Sequence, residues 1–552
     1  MLTNSTLRLE ADKQTVNYIN AWSVGQPSKS SATVTIIKYE GKVYLITNAH
    51  AVANTTYLKV KFNQGSTELP VKAVWVDPIM DVAILKATST EAENSILKKV
   101  EPLDVNTEFQ SASTEVNAYG YPSGGKGLSF TKGHISRIEI SQIAYSRLPG
   151  ITVQTSAPIN PGNSGGPITR ALATGKEQCI GIVSQGNSSL SNVGYFIPAC
   201  TVIQVIENYK KFGKLRAKQW IDYVTVPQVS FEWQSLKNPS LRMQLGMKSM
   251  ALDEELTGIY VTNVPKSSSA SNRLQEGDII LAIDNHPIQA DGNVKVKELE
   301  HPISFLYLLQ RKKYLDNMEF CIQRKNENGV LETKTVTIKL NEQLGRSILG
   351  AKDDKALKYH IQPSGKNGGF VFVRCTQTLM DTFKQSYATG QRTIIDNSNV
   401  PSMFKEFSEL STSKELHEIV VLQSILASEE TDGYENFALN RGLACESHRI
   451  IQANGKPISS LWDLVSALTS EPQKPSSVKF ANGKMLVIAP ETQSTRQELQ
   501  QRYQIAFFTS PQVAPFLGSD PTSKRGLPSS LREKINALEN DNGVVPSMIQ
   551  SR

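Results

Sequence analysis

Residues 162–167 read Gly-Asn-Ser-Gly-Gly-Pro, and this stretch decides the fold together with the residues that follow it. A serine flanked by glycines suits a tight, exposed turn, because glycine tolerates positive φ and lets another backbone approach closely. After Pro167 the chain passes through a glycine-containing turn into the mostly apolar run 179–183. A strand, a turn and another strand around Ser164 are typical of an all-β barrel.

Two kinds of catalytic serine match this hexapeptide. One is the G-x-S-x-G nucleophile elbow of α/β-hydrolases, which leads from a strand into a helix and precedes its acid and histidine. The other is the nucleophile loop of a chymotrypsin-like serine protease, in which the order along the chain is His, Asp, Ser. The strand that follows Ser164 argues against the elbow, so the catalytic partners are expected upstream.

Two histidines lie upstream of Ser164, and one of them suits a general base. A serine hydroxyl is a weak nucleophile that needs an adjacent base, and that base is in turn oriented by a third group. His50 ends the run 44–50, which reads as a buried strand that breaks into a turn of small residues. His134 lies at the start of an exposed-looking strand, where a solvated histidine is the ordinary interpretation. We therefore predict His50 as the base.

The acid that orients the base is sought between His50 and Ser164. Asp81 directly precedes the apolar run 82–85, so its carboxylate is expected to be buried at the start of a strand. Asp77 precedes Pro78 and is a more natural turn-former. We predict Asp81 as the acid and keep Asp77 as the alternative.

These motifs together resemble the Deg/HtrA family of serine proteases, and the resemblance runs from roughly residue 30 to residue 500. It implies a mainly β fold with α+β modules, namely a chymotrypsin-like double β-barrel followed by two PDZ-like domains. The runs 231–234, 238–239 and 245–247 resemble the plant-type branch of the family. The motifs that carry the family resemblance are Thr47-Asn48-Ala49-His50, Asp81-Val82-Ala83-Ile84-Leu85, Ala118-Tyr119-Gly120-Tyr121-Pro122, Gly162-Asn163-Ser164-Gly165-Gly166-Pro167 and Gly194-Tyr195-Phe196-Ile197-Pro198.

The resemblance also implies a role for each residue of the site. Ser164 would attack the scissile carbonyl, His50 would carry the proton and Asp81 would hold the imidazole. The backbone N–H groups of Gly162 and Ser164, together with Asn163, would form the oxyanion hole.

The substrate pocket is expected between two segments of the second barrel. Its floor would lie near Pro158, and a wall would come from Ser184, Gln185 and Gly186. No acid occurs there to attract Lys or Arg, so cleavage after aliphatic residues is expected. The family usually has Asp and Ala where this chain has Ser156 and Pro158, which raises the question of whether the oxyanion loop is ordered before substrate binds.

Two modules after the protease domain have the pattern of PDZ domains, which capture the C-terminal carboxylate of a peptide and add it to a sheet as a strand. In the first, residues 226–342, the run 274–284 has the L-x-x-G-D form that leads into a buried strand. Its capture loop is predicted around Thr257, Gly258 and Ile259. The second module, residues 366–500, looks degenerate, and a structural or oligomer role suits it better than peptide binding.

Composition sets the remaining expectations. The 552 residues carry a net charge of only +7 with scattered positive residues, which disfavours nucleic-acid binding. The five cysteines are far apart, odd in number and without metal-binding spacing, so they read as free thiols. Neither metal nor cofactor is expected, because the triad supplies both base and nucleophile. No apolar stretch reaches the roughly 20 residues of a membrane span. Residues 1–25 lack an apolar signal core, which predicts a cytoplasmic protein or one exported without an N-terminal signal peptide.

The predicted organisation is an N-terminal segment 1–28, a protease domain 29–222, the two PDZ-like domains and a flexible tail 512–552. Tyr18, Ile19 and Trp22 are expected to make oligomer contacts, as the family resemblance implies for assemblies in multiples of three, or else to pack onto their own barrel. The favoured function is an ATP-independent serine endopeptidase of protein quality control, acting on unfolded or specific protein substrates. The alternative is a non-catalytic PDZ scaffold or chaperone with a resting or relic site.

Overall fold

The fold is given by a computed structural model, in which the chain divides into two units. The first unit comprises residues 1–13 and 28–345, and the second comprises residues 14–27 and 346–552. The structure describes residues 2, 4–17, 20–62, 67–125, 127–146, 148–186, 193–216, 226–247, 256–265, 268–313, 315–343, 358–376, 379, 418–439, 449–510 and 513.

Seven strands build the first sheet, and six of them close into a barrel. They are β1 (Thr6–Val16), β2 (Val24–Tyr39), β3 (Lys42–Thr47), β4 (Thr55–Lys61), β5 (Glu68–Asp77), β6 (Val82–Ala87) and β7 (Leu103–Asp104). Their order is β1-β4-β5-β6-β3-β2-β7, and an additional β1–β2 pairing joins the ends of the six-strand path. Because β1 begins at Thr6, this barrel starts well before the predicted boundary at residue 29.

A second closed barrel follows, with the strand order β10-β13-β12-β11-β8-β9. Its strands are β8 (Glu115–Gly120), β9 (Ser129–Gln142), β10 (Pro149–Thr155), β11 (Pro167–Ala171), β12 (Glu177–Gly186) and β13 (Gly194–Pro198). The helices of this part are α1 (Ala49–Val52), α2 (Thr90–Lys99) and α3 (Ala199–Arg216). The predicted double β-barrel is therefore confirmed, and α3 follows the last barrel strand.

The first PDZ domain belongs to the same unit as the barrels. Its sheet has the order β15-β16-β17-β21-β22, with β18 pairing β17. The strands are β14 (Pro227–Gln228), β15 (Glu232–Ser235), β16 (Ile259–Asn263), β17 (Ile279–Ile283), β18 (His286–Pro287), β19 (Asn293–Val294), β20 (Ile303–Ser304), β21 (Asn317–Lys325), β22 (Leu331–Lys339) and β23 (Glu342–Gln343), and the helices are α4 (Pro239–Leu245) and α5 (Leu306–Gln310).

Buried Gln310 joins this domain to the second barrel. Its side chain, 4% exposed, accepts a hydrogen bond from the Ile151 amide at 2.8 Å. The same amide side chain donates to the Pro149 carbonyl at 2.9 Å. Both partners lie on β10, so Gln310 continues the hydrogen bonding of that strand with a side chain.

The second unit contains the second PDZ domain. Its two sheets have the orders β24-β25-β26 and β28-β27-β29-β30. The strands are β24 (Tyr359–Ser364), β25 (Gly368–Arg374), β26 (Val420–Leu426), β27 (Ile450–Ala453), β28 (Lys456–Pro457), β29 (Ser476–Phe480) and β30 (Met485–Ile488), and the helices are α6 (Leu461–Thr469), α7 (Thr495–Tyr503) and the 3₁₀ turns Glu429–Thr431 and Glu435–Phe437. Most of the poorly patterned segment 376–415, and all of the predicted tail 512–552 except Val513, lie outside the described residues.

Of the three N-terminal residues for which contacts were predicted, the structure describes only Trp22. Tyr18 and Ile19 lie outside the described residues, so their predicted oligomer contacts stay a prediction. Trp22 belongs to the second unit, where its indole N–H donates to the Tyr503 carbonyl at 3.0 Å and the two rings meet edge to face. This contact is neither of the two that the sequence suggested. Across the described part of the chain, the structure contains no helix with the length and apolarity to cross a membrane.

Candidate active site

His50 and Asp81 are brought together by two neighbouring strands. Strands β3 and β6 pair with Thr47 opposite Ala83, so the end of one strand lies beside the start of the other. His50 follows β3 in the single turn of α1, and Asp81 directly precedes β6. The imidazole Nδ1 lies 2.8 Å from Asp81 Oδ2, and the His50 backbone N–H donates to Asp81 Oδ1 at 2.9 Å. With its proton on Nδ1, the imidazole has Nε2 available as a base.

Asp81 is held in an unusual conformation. Its φ of 55° lies in the left-handed region, which costs a residue other than glycine free energy and is concentrated at functional sites. The buried Asn48 side chain fastens it by donating to the Asp81 carbonyl at 2.9 Å. Asp81 is itself only 1% exposed, so its carboxylate acts on His50 with little screening by water.

The environment of His50 moves its pKa in two opposing directions. Burial disfavours the imidazolium and would lower the pKa of His50. The charge of Asp81 and its hydrogen bond act the other way, and the pKa of His50 is raised above its ordinary value. The nearby Lys13 ammonium partly offsets that increase. Such an imidazole readily takes up the proton that a nucleophile gives away.

The two alternative residues occupy other positions. Asp77 forms a turn, because its Oδ1 accepts hydrogen bonds from the backbone N–H groups of Ile79 at 3.1 Å and Met80 at 3.0 Å. His134 is exposed on β9, with its backbone in the second barrel. The geometry thus sets His50 and Asp81 apart from both alternatives.

Ser164 lies in the turn between β10 and β11, and Ser184 lies between it and Asp81, with its carbonyl bonded to the one and its hydroxyl to the other. Ser164 Oγ donates to the Ser184 carbonyl at 3.3 Å, and Ser184 Oγ donates to Asp81 Oδ2 at 3.4 Å. Within the described residues, no hydrogen bond links Ser164 Oγ to His50. Catalytic hydrogen bonds are commonly long or misaligned before substrate binds, so this geometry does not exclude the pair.

The backbone around Ser164 points two N–H groups in a defined direction. Because peptide units are planar and the described chain contains no cis peptide, each N–H points opposite to the carbonyl of its own unit. The Pro161 carbonyl accepts from Ser123 N at 2.8 Å, and the Asn163 carbonyl accepts from Gly166 N at 2.8 Å. These two bonds orient the N–H groups of Gly162 and Ser164, which have no acceptor among the described residues.

The third predicted oxyanion donor is already engaged. The Asn163 N–H donates to the Asn160 carbonyl at 3.0 Å. Of the three predicted donors, Gly162 and Ser164 are therefore the two whose N–H groups have no acceptor among the described residues.

Thr33 on β2 holds the same turn from the first barrel, and no sequence motif pointed to this residue. Its hydroxyl donates to the Gly162 carbonyl at 2.8 Å and accepts from Tyr121 N at 3.0 Å. Its backbone N–H donates to the Ser164 carbonyl at 2.9 Å. Thr33 is fully buried, so these bonds are shielded from water.

The glycines of the hexapeptide are required by this crowding. Gly162 has φ of +99°, and a Cβ there would lie 2.4 Å from the Tyr121 carbonyl oxygen. At Gly166 a Cβ would lie 2.0 Å from the Tyr119 carbonyl oxygen. Backbone atoms cannot yield as a flexible side chain does, so larger residues would displace the turn.

Ser156 and Pro158, the two departures from the family pattern, are fastened to β9. Ser156 Oγ accepts from His134 N at 2.9 Å, and Ser156 N donates to the His134 carbonyl at 3.0 Å. The Pro158 carbonyl accepts from Thr131 Oγ1 at 2.8 Å. The segment upstream of Gly162 is therefore hydrogen-bonded to β9 at both positions that differ from the family pattern.

The predicted pocket residues form two groups. Ser184 and Gln185 lie on β12, and Gly186 ends that strand opposite Gly194 of β13. Pro158 is exposed on the upstream segment. Sequence analysis missed Ile159, which packs so closely on Gly194 that a Cβ there would lie 2.4 Å from Ile159 Cγ1.

The peptide-binding residues predicted in the first PDZ domain are not at a sheet edge. Ile259 of β16 pairs with Ser235 on one side and with Ile280 on the other, so no peptide can add as a strand there. Gly258 N donates to the Ile288 carbonyl at 2.7 Å, and Thr257 bridges Gln289. This differs from the prediction, and the physical reason is that strand addition requires an unpaired edge.

One edge strand of this sheet is β15, at the opposite end of the strand order from β22. It pairs with β16 alone, and Glu232, Trp233 and Gln234 are exposed along it. Trp233 packs its ring on Phe305, just before α5, and a Cβ at Gly292 would lie 2.5 Å from that indole. The side of β15 that faces away from β16 is the alternative place for a peptide to add as a strand.

Comparison with protein families defines the class of protein. A trypsin-like peptidase domain matches residues 32–182, and PDZ domains match residues 234–299 and 352–512. Together with the two barrels, these matches define a trypsin-like serine protease that carries two PDZ domains.

Individual relatives narrow the class to a family. The chain is 27% identical over 498 residues to Protease Do-like 2, chloroplastic, of Arabidopsis thaliana, covering 89% of this chain and 72% of that protein. It is 27% identical over 323 residues to Serine protease Do-like HtrA of Bacillus subtilis, covering 57% of this chain and 65% of that protein. Among solved structures, an HtrA-type protease AlgW with decapeptide aligns with a TM-score of 0.43 and 22% identity, over 62% of this chain and 97% of that one. The chain belongs to the Deg/HtrA family of serine proteases and has plant-type relatives.

Proposed function

We propose that this serine endopeptidase cleaves peptide bonds with Ser164 as nucleophile, His50 as general base and Asp81 as the group that orients the imidazole. The observation that carries the proposal is the His50–Asp81 pair, joined at 2.8 Å beside the turn that presents Ser164. Burial of Asp81 and the raised pKa of His50 support these roles.

The chemistry follows from the positions of these groups. Ser164 Oγ attacks the scissile carbonyl carbon while its proton passes to His50 Nε2. The N–H groups of Gly162 and Ser164 stabilise the resulting oxyanion, with each such donor contributing about 3 kcal/mol. His50 then gives its proton to the leaving amine, and water attacks the acyl-enzyme by the same route.

Casein digestion tests this proposal against the scaffold alternative. The purified chain is incubated with casein beside the Ser164→Ala variant, without ATP. Cleavage by the wild type alone is the expected result. Equal rates for the two proteins would assign the activity to a contaminant or to another site.

The substrate pocket is proposed to favour aliphatic residues before the cleaved bond. Ile159 against Gly194 supports an apolar lining, and none of the proposed pocket residues Pro158, Ser184, Gln185 and Gly186 is acidic. Peptide-library profiling is expected to show cleavage mainly after Val, Ile, Leu or Ala. Dominant cleavage after Lys or Arg would refute this assignment.

The first PDZ domain is proposed to bind protein C-termini along β15 rather than at Thr257, Gly258 and Ile259. The unpaired edge of β15 supports strand addition. Ser235→Pro removes one N–H from the side of β15 that faces away from β16 and is expected to weaken binding of a fluorescent C-terminal peptide library relative to Ser235→Ala, whereas Thr257→Ala leaves binding unchanged. The reverse pattern would return the site to residues 257–259.

Homo-oligomers in multiples of three and a role in degrading unfolded proteins complete the proposal. Both the assembly and the degradation of unfolded proteins are inferred from the family assignment. Mass photometry of the purified chain is expected to give three copies or a multiple of three, and a monomer at micromolar concentration would contradict it. Competition between native and unfolded substrates tests the second part, with faster cleavage of the unfolded form expected.

A further inference from the structure

Asn48 directly precedes α1, and its side chain does not make the contact that this position favours. Its φ of −79° and ψ of 153° are those of a helix N-cap, where an asparagine side chain accepts a hydrogen bond from a backbone N–H two or three residues further on. Asn48 makes no such capping bond. The helix it precedes has only four residues, so a cap would satisfy a large share of its free N–H groups.

The Asn48 amide is directed instead at the proposed catalytic acid. Its Nδ2 donates to the Asp81 carbonyl at 2.9 Å. Its Oδ1 is buried and has no hydrogen-bond partner among the described residues. A buried acceptor without a partner lowers the stability of a fold, and so does a missing cap. The position of this side chain therefore carries two costs to stability and makes one bond, to Asp81.

That bond reaches a residue whose backbone is strained. Asp81 has φ of 55°, in the left-handed region. The pairing of β3 with β6 ends at Thr47 opposite Ala83, so the Asn48 side chain continues the contact between the two strands where the backbone ladder stops. The carboxylate of Asp81 accepts from the His50 N–H at 2.9 Å and lies 2.8 Å from the imidazole Nδ1. Residues 48–50 thus hold Asp81 at both its carbonyl and its carboxylate.

We propose that Asn48 is a positioning residue, which keeps Asp81 in its left-handed conformation and thereby keeps the carboxylate directed at the His50 imidazole. The proposal rests on the proposed function, in which Asp81 orients the base. Without the Asn48 amide, the Asp81 carbonyl loses its partner and the residue relaxes toward negative φ, which turns its side chain away from His50. Asparagine at this position favours catalysis over stability.

The first test replaces the amide by a better cap. In Asn48→Ser the hydroxyl can accept from the Ala51 N–H, since the His50 N–H is already bonded to Asp81, and the unpartnered Oδ1 is removed. The unfolding midpoint is expected to stay close to that of the wild type. The value of kcat is expected to fall about tenfold with KM little changed, because a donor to a buried carbonyl is lost.

The titration of His50 separates positioning from a merely structural role. Burial lowers the pKa of His50, but the charge and hydrogen bond of Asp81 outweigh it and raise the pKa above its ordinary value. The charged or titratable groups that face the imidazole are Asp81, Lys13 and Tyr145, and Asn48→Ser leaves all three in place. A carboxylate turned away from His50 lowers that pKa. The acid limb of the kcat/KM pH profile is therefore expected to move to lower pH.

Asn117→Ser is the matched control, because Asn117 is a second buried asparagine with the same bonding. It lies on β8, its Nδ2 donates to Glu177 Oε1 at 3.1 Å, and its Oδ1 has no partner among the described residues. This variant is expected to unfold at a lower temperature and to keep the wild-type kcat and pH profile.

Asn48→Ala separates the lost donor from the gained cap. It removes the amide without supplying a cap, so it is expected to match Asn48→Ser in kcat and to unfold at a lower temperature. Activity losses that follow the unfolding midpoints of the three variants would overturn the positioning role. So would a wild-type kcat and pH profile in Asn48→Ser while Ser164→Ala is inactive, and the proposed function would then still stand. If Ser164→Ala retains full activity, the proposed function itself fails.

Discussion

Replacing Thr33 by valine tests whether the first barrel holds the turn around Ser164, in which the N–H groups of Gly162 and Ser164 are the proposed oxyanion donors. Valine keeps the shape of the side chain but removes the hydroxyl that donates to the Gly162 carbonyl and accepts from Tyr121 N. Both partners would remain buried without a hydrogen bond, which costs about 1–3 kcal/mol for each unsatisfied group. Since about 1.4 kcal/mol changes an equilibrium tenfold, the ordered turn is expected to lose at least about tenfold in population relative to its alternatives.

Thr35→Val is the matched control for this experiment. Thr35 is also fully buried on β2, and its hydroxyl donates to the Gly165 carbonyl at 2.7 Å, beyond the two oxyanion donors. Both variants are expected to unfold at lower temperature, Thr33→Val by more, because it leaves two buried groups without a hydrogen bond and Thr35→Val leaves one.

The assay is kcat/KM on a fluorogenic peptide, measured beside thermal unfolding. Only Thr33→Val is expected to lose activity, by about 10- to 100-fold, which lies below the loss expected when one oxyanion donor is removed altogether. A Thr33→Val protein with wild-type kcat/KM, or equal activity losses in the two variants, would refute the reasoning.

Three further outcomes follow from the structure. Asp81→Asn is expected to lower kcat by about 10⁴-fold and to lower the pKa of His50, seen in the histidine NMR titration, because the charge that raises that pKa is removed; an unchanged titration would contradict the pairing. In the wild type the pKa of His50 is raised on folding, so its contribution to the free energy of unfolding is complete below about pH 6.5 and declines as the pH rises through the folded pKa. The free energies of unfolding of wild type and His50→Gln, measured with denaturant across pH 5 to 9, should therefore converge at high pH. A difference between the two proteins that grows with pH would contradict a raised pKa. Gln310→Ala leaves the Ile151 amide and the Pro149 carbonyl without their side-chain partner and is expected to cost about 2–4 kcal/mol of stability. A change in the unfolding midpoint no larger than that of an exposed Gln→Ala variant would contradict a stabilising role of Gln310 on β10.

The proposed catalytic residues were predictable because each has a local signature. His50 and Asp81 lie next to the ends of apolar strands. The glycines around Ser164 indicate a turn that is too crowded for larger residues. The order of the three residues along the chain then selects one architecture. Local pattern and chain order suffice here because strand ends and tight turns are encoded within a few neighbouring residues.

The residues that the sequence did not reveal depend on contacts between distant segments. Thr33 meets Gly162 across 129 positions, and Lys13 meets His50 only because β1 closes the barrel. The unpaired edge at β15 was not predicted for the same reason. A Gly turn before an apolar strand led to the prediction of a capture loop at residues 257–259. The strand at the end of the sheet is β15, and its sequence Glu-Trp-Gln-Ser shows almost no alternation of apolar and polar residues.

The assignment of Ser164 is tested most directly by active-site labelling with a fluorophosphonate probe, read by peptide mass spectrometry. The probe is expected to modify Ser164 stoichiometrically in the resting protein, because Gly162 and Ser164 already present their N–H groups, and to react far more slowly in His50→Gln. Labelling at another serine, or cleavage of casein by a protein in which Ser164 stays unmodified under excess probe, would contradict the assignment.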